Sequence, residues 1–135
     1  MVVVLVTCPD AAAARRIAEA VVARRLAACV NVLPGVDSIF WWQGRIDRAR
    51  EVLLVIKTTR AHFAALRRAV IALHPYKVPE IIALPLVAGH APYLRWVAAS
   101  LRGEQTRIVN PHTTTWRRAP HQRVGVGARR PSLPP

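Results

Sequence analysis

The chain has 135 residues, 53% of them apolar, with 20 Lys and Arg against 7 Asp and Glu and a net charge of +13. That length fits one domain, and the mean hydropathy of +0.21 excludes a wholly disordered chain. Two cysteines are too few for a disulfide framework or a four-thiolate zinc site, and no apolar run approaches the roughly 20 residues of a membrane span.

The elements alternate along the chain. Val2 to Thr7 is apolar and β-branched without polar alternation, as expected of a strand covered on both faces. No basic segment precedes it, so it reads as a buried first strand of a cytoplasmic protein with free thiols rather than a signal peptide. Asp10 can cap a helix from Ala11 to about Leu26. Cys29 to Leu33 and Val36 to Trp42 form a second strand, bent at Pro34-Gly35. Gln43-Gly44 is a hairpin turn leading into a long third strand, Arg45 to Thr58, polar at its tip and apolar at its base.

Thr59 is positioned to cap the next helix. There Phe63, Leu66, Val70 and Leu73 recur at helical spacing, and His74-Pro75 ends the run. Ile81 to Leu86 is a fourth strand whose Pro85 suits a sheet edge. Tyr93, Trp96 and Val97 share one side of a last helix. The order βαββαβ plus a helix predicts an α+β, ferredoxin-like sandwich over residues 1–102. Both crossover helices cover one face of the sheet. The other face is too apolar for water, so self-association through the long hairpin is expected. Residues 103–135 hold five of eleven prolines and six of twenty basic residues, which predicts a disordered basic tail.

The runs Cys29-Val-Asn-Val-Leu-Pro-Gly35, Ser38-Ile-Phe-Trp-Trp-Gln-Gly-Arg-Ile46, Glu51-Val-Leu-Leu-Val-Ile-Lys-Thr58, His74-Pro-Tyr-Lys-Val-Pro-Glu80 and Tyr93-Leu-Arg-Trp96 occur in this order. Together they resemble the CutA family of divalent-cation tolerance proteins from Val2 to about Leu101. The resemblance implies a homotrimer built through the long hairpins, with copper or another divalent ion as ligand and a part in the response to metal ions. Copper-binding relatives use a cysteine in the first strand, one opening the second strand and a histidine ending the second helix. The second is matched by Cys29. The first falls on Val6, with Cys8 two residues on, and the histidine falls on Leu73, with His74 adjacent. Two steps along a strand keep the face, whereas one step along a helix turns it by about 100°.

Soft thiolate and imidazole donors suit copper or zinc. Each candidate also has a plain structural role: Cys8 and Cys29 as core residues, His74 as a helix-terminal cap. The topology puts Cys8 and His74 at one end of the sheet and Cys29 at the other, about 20 Å away, so only an assembly could gather all three. Trp41 and Trp42 read as hairpin packing or interface. Glu51, Lys57, Tyr76 and Glu80 either line a polar inter-subunit cleft or lock the trimer as paired charges. Gln43 and Lys77 stand where the family often has acidic or Glu/Gln residues, which weakens any nearby cation site.

No phosphate-binding glycine loop, metalloprotease motif or nucleophile elbow is present, so no enzyme is expected. The alternatives are a trimeric scaffold or signalling protein acting through inter-subunit clefts, and polyanion binding by the tail around Trp116-Arg117-Arg118. Partners are thus a second and third copy and divalent ions. No membrane is expected, and nucleic acid only through the tail.

Overall fold

A computed structural model describes residues 1–104 and 111–112. The elements are β1 (Val2–Cys8), α1 (Ala11–Ala23), β2 (Cys29–Trp42), β3 (Arg45–Thr58), α2 (Phe63–Leu73), β4 (Ile81–Pro85) and α3 (Ala91–Arg102), with a 3-10 turn at Arg60–His62 leading into α2. The sheet order is β2-β3-β1-β4, and every pairing is antiparallel. This is the βαββαβ sandwich with an added helix that the sequence predicts.

Side-chain alternation sets the layers. Val2, Val4, Val6 and Cys8 face one side of β1, and Val52, Leu54 and Ile56 face the same side of β3. They meet Ile17 and Val21 of α1 and Leu66 and Val70 of α2 in one buried cluster. Each large side chain hidden there contributes about 1.5–3 kcal/mol. Asp10 starts α1 by accepting the Ala13 amide on Oδ1 at 2.8 Å.

The helix stops at Ala23, three residues short of Leu26. Arg25 turns left-handed at φ 55°, and the Arg25 and Leu26 amides bond back to the Val22 and Val21 carbonyls. Gly103 closes α3 in the same way, at φ 78°. Thr59 differs from expectation: its hydroxyl bonds Nδ1 of His62 rather than a backbone amide, and a 3-10 turn precedes α2.

The Pro34-Gly35 step makes the predicted bulge, a register shift between Leu33 and Val36. Gln43 and Gly44 both take positive φ, 49° and 75°, as the tight turn between β2 and β3 requires. β4 is an edge strand, so Pro85 costs no ladder bond on an inner neighbour.

The second face of the sheet carries Val3, Leu5, Leu33, Leu53, Val55, Ile82 and Leu84, placed together by register. α3 packs against β3, and its Tyr93 hydroxyl lies 3.5 Å from Cys29 Sγ at the start of β2. Leu33, Ile82 and Leu84 remain 41–48% exposed, and at the hairpin tip Trp41 is 74% and Trp42 60% exposed. Most of the predicted tail lies outside the described residues.

Candidate functional site

The sheet register separates the candidate residues into two ends. Cys8 closes β1 opposite Val52 of β3. His74 caps α2 at the same end, and its ring lies against the last turn of β1: Nε2 donates to the Thr7 carbonyl at 2.7 Å. The Tyr76 amide donates to His74 Nδ1 at 3.0 Å. A carbonyl only accepts and an amide N–H only donates, so these two bonds fix the neutral Nε2–H tautomer and use both ring nitrogens.

Tyr76 turns its hydroxyl toward Glu51 and donates to Oε2 at 3.0 Å, with its ring 4.9 Å from that of His74. Glu51 is buried, and burial together with the Glu51 bond pushes the Tyr76 phenol up to about 12. Glu80 lies one residue before Ile81, which pairs with Val6, so it sits at this end as well.

Cys8 has no solvent exposure. Burial pushes its thiol up to about 11, and the negative charges of Glu51 and Asp10 add to the effect. The group is a thiol rather than a thiolate at neutral pH, and the thiolate is the metal ligand.

At the opposite end, Cys29 opens β2 opposite Lys57, which in turn pairs with Val3. The Ala28 amide bonds the Lys57 carbonyl at 2.9 Å, and Thr58 Oγ1 donates to the Leu26 carbonyl at 2.7 Å, so the chain leaving α1 is held to β3. Cys29 is half-buried, with Sγ 3.5 Å from the Tyr93 hydroxyl. Desolvation, followed by the contact with Cys29, raises the Tyr93 phenol above its usual range. A cavity of about 610 Å³ opens beside Cys29, lined also by Arg25, Trp96 and Ser100. Lys57 donates to the Asn31 side-chain oxygen.

Glu51, Tyr76 and Glu80 therefore share one end of the sheet, Lys57 sits at the other, and Trp41 and Trp42 lie at the hairpin tip, which extends past the Glu51 end. The sequence pattern groups Tyr93 with Trp96 and Val97 on one side of the last helix but does not connect it to Cys29, 64 residues away. Asn31, the partner of Lys57, carried no spacing signal at all.

Residues 2–100 match the model of the family described as CutA1 divalent ion tolerance protein. The chain belongs to the CutA1 family. It is 53% identical over 95 residues to the Divalent-cation tolerance protein CutA of Thermus thermophilus, covering 70% of this chain and 92% of that one. It is 51% identical over 92 residues to the Protein CutA of Mus musculus, 68% of this chain and 52% of that protein, so it spans about half the length of that relative. The solved structure of the divalent cation tolerance protein Cut A1 from Thermus thermophilus superposes with a TM-score of 0.70 at 52% identity, covering 72% of this chain and 95% of that one.

Membership in CutA1 gives the metal question its frame, and the donors answer it for a single chain. Cys8 is protonated and sealed in the core, His74 has both nitrogens engaged by backbone, and Cys29 lies at the far end of the sheet. Among the described residues no three His, Cys, Asp or Glu side chains converge on one point. These residues do not fit a resident metal centre within one CutA1 chain.

Proposed function

We propose that this CutA1-family chain is a non-catalytic, cytoplasmic homotrimer. In this reading it serves divalent-cation tolerance by binding copper or another divalent ion as an exchangeable ligand between subunits. The observation that carries the proposal is the open second face of the sheet. Leu33, Ile82 and Leu84 stand half exposed there, and the hairpin tip presents Trp41 and Trp42. A small domain holding that much apolar sheet in water gains by sharing it with copies of itself. The divalent-cation tolerance named in the family model supports the metal part.

Of the three candidate donors, Cys29 alone is a half-buried thiol bordering an open cavity. A soft ion completed by groups from a neighbouring copy would suit it. Anaerobic copper titration of the untagged full chain, followed by thiolate-to-copper absorbance and by the metal content of the protein as purified, tests this. The expected result is a band lost in Cys29→Ser and kept in Cys8→Ser. A band lost in Cys8→Ser alone, or no band in the parent, rejects it.

A second reading, a scaffold or signalling protein working through inter-subunit clefts, is favoured by the Glu51–Tyr76 pair. That hydrogen-bonded acid and phenol sit at the sheet end with Glu80 close by in register. Recovery of a defined partner by the parent, lost in Tyr76→Phe, would favour it over metal binding.

A further inference from the structure

The two crossover helices carry a charge pattern that neither the sheet nor the hairpin uses. α1 and α2 lie side by side on the face of the sheet away from the open apolar surface. The two helices and the turns that flank them present Arg15, Arg16, Arg24, Arg60, Arg67 and Arg68, all exposed, against two exposed acids, Asp10 and Glu19. The ion pairs found among the described residues are Arg50–Asp37 and Arg102–Glu104, so none involves these six. Arg25 differs, since its guanidinium donates to the Ser100 carbonyl at 2.6 Å.

Adjacent like charges that outnumber their counter-charges work against the compact state. That cost is offset when an external polyanion supplies the negative charge. A trimer joined through the hairpins and the open sheet face leaves the helical layer outward, and three copies multiply its charge.

We infer that the outer face of α1 and α2 is a docking surface for the phosphate backbone of duplex nucleic acid, independent of base sequence. Guanidinium groups match phosphate in geometry and charge. α1, at 13 residues, is about 20 Å long, enough to run beside several phosphates spaced one charge per about 1.7 Å of duplex. The same face argues against the other polyanions. It offers no aromatic ring for base stacking, because α1 has none and Phe63 of α2 packs on the core. Its exposed large apolar residues, Val22 and Ile71, stand singly, whereas a membrane-surface helix carries a continuous apolar face. All six arginines precede the basic segment 103–135 in sequence, and this inference does not rest on the trimer's metal chemistry.

The test is fluorescence anisotropy of the full chain with a duplex of about 30 base pairs over a series of salt concentrations. Native mass spectrometry shows that each variant keeps the parent's assembly. R67E/R68E should weaken binding more than about tenfold at roughly 150 mM salt and flatten the log–log salt dependence by about 2, as loss of two phosphate contacts requires. R15E/R16E should do the same from the neighbouring helix. R95E, on α3, should stay within about twofold of the parent, as should R117S/R118S in the tail. Helical variants that bind like the parent would overturn the inference. So would loss of binding confined to the tail variant, tighter binding to phosphatidylserine vesicles than to duplex, or no duplex binding by the parent at about 50 mM salt. None of these outcomes bears on copper uptake or on the trimer.

Discussion

His74 Nε2 lies 2.7 Å from the carbonyl oxygen of Thr7, a bond that spans 67 residues of sequence and ties the end of α2 to the end of β1. The second ring nitrogen takes the Tyr76 amide, so one imidazole satisfies a strand carbonyl and a loop amide in a largely buried place. Removing it strands both groups, and an unsatisfied buried donor or acceptor costs about 1–3 kcal/mol. His74→Ala should lower unfolding free energy by about that amount in urea, and His74→Gln, which can restore one bond, by less. A change in His74→Ala below about 0.5 kcal/mol would show that the imidazole does not hold this junction.

Cys8 gives a pH prediction with a definite sign. Its pKa is raised from the ordinary 9.0 to about 11 in the folded chain, chiefly by burial. The folded state therefore holds its proton more tightly than the unfolded state. The stabilisation is fully present below about pH 9 and is lost as pH rises through about 11. Chemical denaturation of the parent should show stability falling between those values, with the fall reduced in Cys8→Ala. Burial makes a second consequence measurable. At about pH 8 Cys29 should react with a thiol reagent first, and Cys8 only at the rate of unfolding. Equal reaction rates would contradict the buried placement.

Gly44 takes φ 75° at the hairpin tip, where an added Cβ meets no atom within 4 Å. The penalty for Gly44→Ala is thus conformational and should be about 1 kcal/mol. Thermal unfolding would read it as a small drop in Tm. An unchanged Tm would mean that the hairpin relaxes its turn.

The backbone plan was legible because local chemistry decides it. Pro34-Gly35 made a bulge, Gln43-Gly44 made the turn, Asp10 capped α1, and the apolar spacing of α2 marked its buried side. The register then followed from the fold, which is why Cys8 and Cys29 could be assigned to opposite ends from topology alone. What stayed hidden depends on contacts between distant residues. The early stop of α1 comes from a left-handed Arg25, a conformation that the residue type does not announce. The pairing of Cys29 with Tyr93, of Lys57 with Asn31 and of His74 with the Thr7 carbonyl each joins segments far apart in sequence. A histidine next to a helix end is more often a cap than a metal ligand, and the positions of its two hydrogen-bond partners separate the two.

Shared burial of the sheet's open side is the claim from which the metal and cleft readings both descend. Sedimentation velocity of the untagged full chain at micromolar concentration tests it most directly. A single species of three chains is expected, shifting toward one chain when Trp41→Asp and Leu84→Asp are combined while the helical signal is retained. A parent protein that sediments as one stable polypeptide would contradict it.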